Sequence, residues 1–455
     1  MRKTLPAHRR DPKEVLAELK SFASDDPDYR HSRVWSLVYY LDEELKSFLK
    51  EAYGAYASAN GLNPLAFKSL KKLENDIIEF TTSLLNAPET ACGLVTSGGT
   101  ESCLLAVKTY RDRAKAENGV AAPEMILPTT AHVAWTKGAE YFGLAIKWLP
   151  LGDDMRADVA KLDDLITPNT SFILGSAPNY PHGVIDPIVE MSEIALRRGV
   201  PMHVDACVGG FILPFMEMNG RDIPVFDYRA PGVTSMSADL HKYGFAAKGA
   251  STITYRDVSY FKHQLFVSQD WPGGVFASPG LLGTRPGGAY AAAWAALNYF
   301  GVDGYRDLAA RTAEAIDRLA AGIEAIPGLR LIAQPQGPLI AYGSAEAGLD
   351  IFVVGDQMQA RGWNINRLQF PDGLHAMVTA RHLEVVDDYL RDLSESVAVA
   401  RAHPEYAQQG AAAVYGLIAR APFRDMVRAQ VLETFAGFYA PGGKPPGLWR
   451  LGAIG

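Results

Sequence analysis

The sequence predicts an α/β protein in which helices cover a mostly parallel β-sheet. Two observations lead to this fold class. Between residues 61 and 300, short apolar runs alternate with stretches of helical periodicity, as they do where helices connect parallel strands. After Gly301 the pattern changes to a long amphipathic stretch followed by short strands, which indicates a separate and smaller α+β domain.

The elements of the large domain follow from that alternation. The strand candidates are short apolar runs at residues 124–127, 172–175, 201–204 and 251–254. Helical patterns separate several of them, at residues 101–117, 186–198 and 289–299. Residues 1–60 combine helical patterns with an aromatic segment, and we interpret them as an N-terminal arm. The large, cofactor-binding domain is then predicted over residues 61–300.

The remaining residues, 301–455, are predicted to form the small C-terminal domain. Its first element is an amphipathic helix over residues 304–325, and a second helix is expected around Gln357. Its strand candidates are residues 329–332, 339–342 and 374–378.

Composition narrows the possible function classes. The 455 residues are 48% hydrophobic, which allows a large core, and the net charge of −7 argues against nucleic-acid binding. No run approaches the ~18 apolar residues of a membrane span, and no apolar leader follows the basic N-terminus. The three scattered cysteines form no CxxC pair and suit a reducing compartment. We expect a cytoplasmic protein with no metal site and no membrane span.

One lysine is the strongest functional signal in the chain. Lys242 ends the segment Ser-Ala-Asp-Leu-His-Lys at residues 237–242, after the apolar-leaning run 232–236. A lone lysine is usually a solvated surface residue. A buried lysine, by contrast, has a lowered pKa and forms an imine with an aldehyde cofactor, so this position favours pyridoxal phosphate.

A segment rich in glycine, serine and threonine offers a site for the phosphate of that cofactor. Residues 96–102, Thr-Ser-Gly-Gly-Thr-Glu-Ser, precede a predicted helix. Gly99 lets backbone amides approach an anion, Thr100 adds a hydroxyl donor, and the helix N-terminus attracts negative charge. An ordinary capped helix after a turn is the alternative.

Two residues that follow predicted strands are candidates for holding the pyridine ring. His132 lies beyond the strand at 124–127, where ligands bind in α/β sheets, and its imidazole can stack on the ring. Asp205 follows the strand at 201–204, and its carboxylate can hold the ring nitrogen protonated. Taken singly, a structural histidine and a helix-capping aspartate are the alternatives. Phosphate loop, histidine, aspartate and lysine nevertheless occur in the order of one cofactor pocket.

A second glycine-rich segment, residues 277–288, precedes an alanine-rich helix. It contains Gly283 and Thr284. It is either a hinge or a source of additional phosphate donors at a subunit boundary.

These motifs resemble those of the fold-type I pyridoxal-phosphate enzymes, in particular the group II decarboxylase branch and, within it, the sphingosine-1-phosphate lyase family. The resemblance rests on residues 96–102, on His-Val-Asp-Ala-Cys-Val-Gly-Gly-Phe at 203–211 and on residues 237–249. Pro-His-Gly-Val-Ile-Asp at 181–186 and the segment 277–288 add to it, so the likeness spans most of the chain.

The resemblance implies a transferase-like fold of type I and a homodimer with active sites at the subunit interface. It implies that Lys242 forms the internal aldimine, with His241 beside it in the cofactor site. Asp205 is implied to pair with the pyridine nitrogen, and His132 to stack on the ring.

The resemblance also assigns residues to the phosphate groups. Gly283 and Thr284 are implied to reach the cofactor phosphate of the neighbouring subunit. Lys248 corresponds to a lysine that holds the substrate phosphate, and Tyr39 to a tyrosine of the substrate site.

Two departures from the family's pattern concern the substrate side. Trp-Ser-Leu at residues 35–37 stands where the family has Ser-Gly-Ala, which makes this segment bulkier. Asn63 is kept as a substrate-binding candidate, but Ala66 replaces a phosphate-binding histidine and offers neither a donor nor a charge.

The implied activity is retro-aldol cleavage of a phosphorylated sphingoid base to a fatty aldehyde and ethanolamine phosphate. The alternative is a pyridoxal-phosphate-dependent amino-acid decarboxylase, because one cofactor serves both reactions and the pocket selects the bond. Ala66 adds weight to that alternative. A protein that binds the cofactor without turnover is the third interpretation, and the full set of cofactor-handling residues counts against it.

Overall fold

The predicted parallel sheet is present and forms the centre of the large domain. The computed structural model describes residues 4–413, 424–440 and 442. The strands of the central sheet are β1 (Cys92–Thr96), β2 (Glu124–Pro128), β3 (Ala145–Leu149), β4 (Thr170–Ser176), β5 (Met202–Asp205), β6 (Val233–Ala238) and β7 (Ser251–Tyr255). Within the described residues these seven strands lie in the order β1-β7-β6-β5-β4-β2-β3.

Strand direction explains why this sheet can gather a site at one edge. β7 runs antiparallel to β1 and β6, while β6, β5, β4, β2 and β3 pair in parallel. β1 therefore points the same way as the parallel strands, and the carboxyl ends of six strands share one edge. Every residue of β4 is buried, as expected for a sheet covered on both faces. The predicted fold class is confirmed.

Helices cover the sheet and join its strands. In the described part of the chain before the small domain they are α1 (Pro12–Ser21), α2 (Glu43–Ala55), α3 (Lys68–Leu84), α4 (Gly99–Asn118), α5 (Val133–Phe142), α6 (Leu162–Leu165), α7 (Ile188–Arg198), α8 (Leu213–Met218) and α9 (Val258–Phe261). α5 has local start and stop signals, because the His132 side chain caps its first turn and Gly143 ends it at a left-handed φ of 70°. A hairpin of β8 (Phe266–Ser268) and β9 (Phe276–Ser278) follows α9.

A long helix, α10 (Gly287–Ala325), connects the large domain to the small one. The two helices predicted at 289–299 and 304–325 are halves of this element, which breaks at Gly301, where φ is 54°. A positive φ is readily adopted by glycine, so the break falls where the sequence permits it. The domain boundary predicted between residues 300 and 301 coincides with this break and stays a prediction.

The small domain is built on an antiparallel sheet. Its strands are β10 (Leu329–Leu331), β11 (Leu339–Ser344), β12 (Asn366–Leu368) and β13 (Gly373–Met377), in the order β10-β11-β13-β12. Helices α11 (Ile351–Ala360) and α12 (Val386–Ala402) pack on it, and a further helix spans Arg424–Tyr439. Of the residues predicted to form this domain, 414–423, 441 and 443–455 lie outside the described part of the chain.

Part of the predicted N-terminal arm is integrated into the small domain. The Trp35 backbone N–H donates to the Asn364 carbonyl at 3.0 Å, and its carbonyl accepts from the Met377 N–H at 2.8 Å. The Trp35 side chain is fully buried and stacks on His382 with 4.2 Å between ring centroids. The bulky residue found at this position therefore fills the small-domain core, and the main chain carries the segment on towards Tyr39.

Three strands of the central sheet, β1, β3 and β6, were missing from the sequence prediction. β3 lies at a sheet edge, and Lys147 interrupts its apolar residues. In β6, Thr234 and Ser235 separate the apolar residues in the same way, so neither strand has a continuous apolar run such as Phe172-Ile173-Leu174 of β4. Among the described residues, no helix has the length and apolar character needed to cross a bilayer.

Candidate active site

The carboxyl ends of the parallel strands surround a cavity of about 390 Å³. This volume lies in the range of ~300–1,000 Å³ that is usual for ligand and cofactor sites. Its walls come from the segments that follow β1, β2, β4, β5 and β6, so the topology brings together residues far apart in the sequence. They include Gly99, Thr100, His132, Tyr180, Asp205, Asp239, His241 and Lys242.

Lys242 lies in the turn after β6 and forms an ion pair at the cavity wall. Its Nζ is 2.9 Å from Oδ2 of Asp239, a carboxylate that is almost fully buried. Burial lowers the pKa of the Lys242 amine, but the Asp239 carboxylate outweighs it and raises this pKa above its usual value. The expectation of a lowered pKa is therefore wrong for this structure, because sequence reasoning considered burial without the neighbouring charge.

Asp205 ends β5 with its carboxylate held by donors from two elements. The indole Nε1–H of Trp135 donates to Oδ2 at 2.8 Å, and the backbone N–H of Cys207 donates to Oδ1 at 3.1 Å. Burial raises the pKa of this carboxyl, but the Trp135 hydrogen bond and the nearby His132 hold it below the usual value. The carboxylate is thus ionised and oriented, as the partner of a protonated ring nitrogen must be.

His132 precedes α5 and faces the cavity. Its Nδ1 accepts the backbone N–H of Ala134 at 3.2 Å, which leaves the proton of the neutral imidazole on Nε2. Partial burial in the cleft lowers the pKa of His132, and the Lys242 charge lowers it further, against the opposing pull of Asp205. The ring meets Tyr180 edge-on at 5.7 Å between centroids. A neutral, flat ring at this position suits stacking.

The predicted phosphate loop lies where α4 begins. Gly99 and Thr100 form its first turn and line the cavity, so the N-terminus of a 20-residue helix is directed at it. A Cβ at Gly99 would lie 2.7 Å from Asp239 Oδ2 and 3.0 Å from Cys207 Sγ. Only glycine allows the backbone to approach the cavity floor this closely.

These residues fit pyridoxal phosphate, the cofactor predicted from the sequence. Lys242 would hold the aldehyde, Asp205 the ring nitrogen and His132 one ring face, with the phosphate at the start of α4. A further sign is that Oδ1 of Asp239 is buried and, among the described residues, has no hydrogen-bond partner. A buried unpaired carboxylate oxygen calls for a polar group from outside the chain.

His241 closes the site on the side of β7. Its Nδ1 accepts the Ala250 backbone N–H at 3.3 Å, and its Nε2 is 3.8 Å from Asp239 Oδ2. Burial lowers the pKa of His241 to about 4, so the imidazole is neutral at physiological pH. Its carbonyl also accepts the Lys248 ammonium, which links this wall to the next cavity.

A second cavity of about 460 Å³ opens from the first one and carries the predicted substrate residues Tyr39 and Lys248. Its other walls include His132, Tyr180 and Lys242, which also line the cofactor cavity. With His241, four residues line both cavities, so the two spaces adjoin and a substrate in the second would lie beside a cofactor in the first.

Lys248 is placed by contacts on two sides. Its Nζ donates to the His241 carbonyl at 3.2 Å and lies 4.8 Å from the centroid of the Tyr39 ring. Burial and the charge of Lys242 lower the pKa of Lys248 to about 8. The Tyr39 hydroxyl contacts Met377 Sδ at 3.5 Å, so arm and small domain meet at this wall. The structure thus places side by side the two residues that the family resemblance assigned to the substrate site.

Three predicted residues do not reach either cavity within one chain. Gly283 and Thr284 lie in an exposed loop, and Asn63 lies in another. The side-chain Oδ1 of Asn63 accepts the backbone N–H groups of Leu65 and Ala66 at 3.0 and 3.2 Å. Gly283 and Thr284 are implied to serve the neighbouring subunit, which a single chain does not test, and the role of Asn63 in substrate binding likewise stays a prediction.

The two loops nevertheless form one unit on the surface. Asn60 Nδ2 donates to Thr284 Oγ1 at 3.3 Å, and its Oδ1 accepts the Arg285 backbone N–H at 3.2 Å. Beneath them, the buried Arg285 guanidinium pairs with the buried Glu74 carboxylate at 2.7 Å. Glu101 of the phosphate loop accepts the Leu281 N–H at 2.9 Å, which ties this unit to the cavity rim.

Sequence reasoning missed three residues of the site. Asp239 lies inside the recognised segment 237–242, yet its pairing with Lys242 depends on the turn after β6. Tyr180 follows β4, and its position after a strand was the available signal. Trp135 carried no signal, because an aromatic residue on a short helix is usually part of the core.

A buried cluster borders Asp205 and offers metal-binding atoms. Cys103, Cys207 and Asp205 place their ligand atoms within 4.8 Å of one another. Metal binding needs thiolates, whereas burial raises the pKa of the Cys103 thiol to about 11. The Cys207 thiol, hydrogen-bonded to Cys103, also has a raised pKa. The two neutral thiols and the ionised Asp205 carboxylate together form part of the wall of the cofactor cavity.

Comparisons with known proteins agree with this geometry. The family described as "Pyridoxal-dependent decarboxylase conserved domain" matches residues 30–344. Sphingosine-1-phosphate lyase 1 of Rattus norvegicus is 42% identical over 436 residues, covering 95% of this chain and 76% of the relative. Sphingosine-1-phosphate lyase of Arabidopsis thaliana is 43% identical over 394 residues, covering 86% and 72%.

Solved structures give the same grouping. The sphingosine-1-phosphate lyase of Burkholderia pseudomallei is 39% identical with a TM-score of 0.84, covering 92% of this chain and 98% of that chain. A glutamate decarboxylase of Lactobacillus brevis, 23% identical with a TM-score of 0.76 over 88% of this chain and 95% of that one, shares the fold. The chain belongs to the sphingosine-1-phosphate lyase family of the pyridoxal-phosphate-dependent decarboxylase fold.

Proposed function

We propose that this protein is a pyridoxal-phosphate-dependent lyase that cleaves a phosphorylated sphingoid base to a long-chain aldehyde and ethanolamine phosphate. The observation that carries the proposal is a pair of lysines in contiguous cavities. Lys242 lies where an aldehyde cofactor would bind, and Lys248 lies in the adjoining space beside Tyr39. An amine for the cofactor and a second cation for a phosphate are the two groups that this substrate class requires.

The bond to be broken joins the amino-bearing carbon to the hydroxyl-bearing carbon of the substrate. Bound cofactor supplies an electron sink for the pair left on the amino-bearing carbon. The hydroxyl proton leaves as the aldehyde forms, and a proton returns to the amino-bearing carbon before the amine is released.

The residues of the chain hold the reacting groups and move these protons. Asp205 keeps a proton at the ring nitrogen, and His132 fixes one ring face. Tyr180 accepts the Asn366 Nδ2–H at 3.0 Å, which fixes its hydroxyl at the junction of the cavities, where it can hydrogen bond the substrate hydroxyl. Lys242 lines both cavities, and its amine would be placed to return a proton to carbon.

Binding of the headgroup falls to the second cavity. The Lys248 ammonium is held by the His241 carbonyl and the Tyr39 ring, so it presents its remaining N–H donors to the cavity. The Tyr39 hydroxyl adds a neutral donor. Because the second cavity is offset from Asp205, the phosphate is bound away from the ring nitrogen and the scissile bond.

We also propose a homodimer in which the exposed loops complete the partner's site. Three exposed residues, Gly283, Thr284 and Asn63, offer side-chain or backbone hydrogen-bond donors. They line neither of the chain's own cavities. A group of exposed apolar side chains adjoins the Gly283 loop and includes Phe266, Val267, Trp271, Val275, Leu281 and Leu282. Several exposed apolar side chains along neighbouring segments are a usual mark of a protein interface.

We also propose a cytoplasmic location, and this proposal rests on the cysteines alone. Cys92, Cys103 and Cys207 are all unpaired within the described residues, as expected in a reducing compartment. Fractionation of cells that express the tagged protein, with a soluble marker and a membrane marker as controls, tests this; recovery in the membrane fraction contradicts it.

The amino-acid decarboxylase remains the second candidate, and one observation favours it. Ala66 lies in an exposed loop and provides no side-chain group for a phosphate. The two candidates require different substrates, since the decarboxylase breaks a bond to a carboxylate.

Product analysis separates the candidates. The purified holoenzyme is incubated with sphinganine 1-phosphate, with unphosphorylated sphinganine and with a panel of amino acids, and the products are identified by mass spectrometry. We expect a long-chain aldehyde and ethanolamine phosphate from the first substrate, and none with Lys242→Ala. Release of carbon dioxide and an amine from an amino acid, with sphinganine 1-phosphate intact, establishes the decarboxylase instead. Cofactor absorbance with neither product supports a binding protein.

A further inference from the structure

The indole of Trp135 makes a contact that ordinary core packing does not need. This side chain is fully buried on α5, three residues after His132. Its Nε1–H donates to Asp205 Oδ2 at 2.8 Å, a short bond to a carboxylate. Trp135 does not line the cofactor cavity itself, so it acts from behind the residue that does.

The surroundings of Asp205 show how much depends on this donor. The backbone N–H of Cys207 donates to Oδ1 of Asp205 at 3.1 Å. Apart from the indole, Oδ2 is contacted by the Cys103 thiol, and the distance of 3.9 Å is long for a hydrogen bond. Thiols are weak donors. Among the described residues, Trp135 is therefore the strong donor that holds Oδ2, and without it the carboxylate is free to rotate or to take up a proton.

The position of Trp135 is coupled to that of His132. The Trp135 backbone N–H donates to the His132 carbonyl at 3.0 Å, and the His132 side chain caps the same turn. On its far side the indole packs on His203, with 4.9 Å between centroids. One helical turn therefore fixes both the ring that stacks and the indole that orients Asp205.

We propose that Trp135 is a positioning residue that acts through Asp205, holding its carboxylate ionised and aimed at the ring nitrogen of the cofactor. This inference rests on the proposed role of Asp205. It assigns to Trp135 two measurable effects, on cofactor affinity and on turnover, and none on headgroup binding, because Lys248 lies in the other cavity. Partners of this kind typically change affinity or activity by about 10–100-fold when removed.

The test compares Trp135→Phe with Trp363→Phe. Trp363 is a matched control, since it is also fully buried and its Nε1–H also donates to a carboxylate, Asp392 Oδ2, at 2.8 Å. It lies in the small-domain core, away from both cavities. Both variants lose one indole-to-carboxylate bond, and only the first loses it at Asp205.

Four quantities are measured on each variant. They are the dissociation constant of pyridoxal phosphate from absorbance titration of cofactor-free protein, the pH midpoint of the absorbance of the bound cofactor, and kcat and KM with sphinganine 1-phosphate. For Trp135→Phe we expect about tenfold weaker cofactor binding, a shifted pH midpoint, about tenfold lower kcat and an unchanged KM. For Trp363→Phe we expect wild-type values of all four. Equal behaviour of the two variants overturns the proposal.

Asp205→Asn separates this inference from the proposed function. If Trp135 acts through Asp205, Trp135→Phe has little further effect in the Asp205→Asn background. Full additivity of the two changes overturns the inference, while wild-type activity of Asp205→Asn alone overturns the role given to Asp205. Should Trp135→Phe not fold, replacement of Trp135 by benzothienylalanine, which keeps the shape and lacks the N–H, provides the same measurements.

Discussion

Two regions that carry predicted site residues differ in whether one chain holds those residues in a cavity. One is the floor of the cofactor cavity, formed by Asp205 and Lys242, and the other is the pair of loops that contain Asn63 and Gly283. On the floor, Asp205 and Lys242 each have a short contact to a buried partner, at 2.8 and 2.9 Å. In the loops, predicted site residues are exposed, and their recorded contacts are to their own or the adjacent loop. The floor is therefore fixed within one chain, whereas the loop residues line neither cavity of that chain.

The contrast follows from where each region lies in the fold. Floor residues end strands of a sheet buried on both faces, so packing fixes them at little local cost. The buried Arg285–Glu74 ion pair holds the loops on their inner side, and the predicted site residues on the loops are exposed to solvent. Substitutions on the floor should therefore affect chemistry, and substitutions in the loops should affect assembly and phosphate binding. The following predictions rank these effects from the largest to the smallest.

Lys242→Ala should abolish turnover and leave the fold intact. The amine is the group that binds the cofactor aldehyde, and its removal leaves Asp205, His132 and the start of α4 in place. We expect no detectable product from sphinganine 1-phosphate, loss of the visible absorption of lysine-bound cofactor, and a far-UV circular dichroism spectrum like that of wild type. The thermal transition should fall, because the buried Asp239 carboxylate loses its partner. Activity near that of wild type would show that Lys242 has been assigned wrongly.

Asp205→Asn should retain the cofactor but slow catalysis by orders of magnitude. A neutral amide does not hold the ring nitrogen protonated, and a lost electrostatic contact of this kind costs roughly 3–4 kcal/mol in the transition state. The measurement is kcat with sphinganine 1-phosphate at saturating cofactor. A change smaller than about threefold contradicts the role of Asp205 in catalysis.

Lys248→Ala should weaken binding of the phosphorylated substrate. A charge-assisted contact to phosphate contributes roughly 1.5–3 kcal/mol, so we expect kcat/KM to fall about ten- to a hundredfold. The loss should appear in KM more than in kcat. The control substrate is unphosphorylated sphinganine, and an equal loss with that substrate contradicts a role in headgroup binding.

The pH profile sharpens the same assignment. Because burial and the Lys242 charge lower the pKa of Lys248 to about 8, its ammonium is present below that pH and is lost as pH rises through it. We expect kcat/KM for the phosphorylated substrate to decline above pH of about 8 in wild type. Lys248→Arg, whose guanidinium stays charged, should flatten this decline. If kcat/KM declines identically above this pH in wild type and in Lys248→Arg, the decline is caused by the titration of a group other than Lys248.

Ala66→His should have the smallest effect. If Ala66 occupies the histidine position of the family, the added imidazole lowers KM for sphinganine 1-phosphate by about two- to fivefold, because exposed charged contacts are worth only ~0.2–1 kcal/mol. Ala66→Leu controls for added volume. The same KM in both variants means that residue 66 does not approach the phosphate.

Sequence reasoning recovered the fold class and the residues whose position follows from strand ends. His132, Asp205 and Lys242 each come shortly after a strand, and parallel topology brings such positions to one edge. Periodicity also located α10 and four of the seven strands of the central sheet within the described residues, and it missed β1, β3 and β6. The family resemblance added Tyr39 and Lys248, which the structure places side by side.

What the sequence did not reveal depends on contacts between distant elements. The raised pKa of Lys242 needs the Asp239 carboxylate turned towards it, and the Trp135–Asp205 bond joins residues 70 positions apart. Neither has a local pattern. The exposure of Asn63 and Thr284 is likewise invisible in sequence, because it depends on which surface of the folded chain the loops occupy.

The central claim, that one chain supplies the floor and its neighbour the loops, is tested by complementation. Lys242→Ala disables the floor, and Gly283→Asp places a carboxylate in the loop, where a Cβ meets no atom of the described chain within 4 Å. Two differently tagged chains are co-expressed, mixed dimers are isolated through both tags, and turnover of sphinganine 1-phosphate is measured. In one dimer each chain carries one change; in the other, one chain carries both and its partner is wild type. With shared sites the first dimer retains about half of wild-type activity and the second none. The reverse result, activity only in the second dimer, contradicts the account.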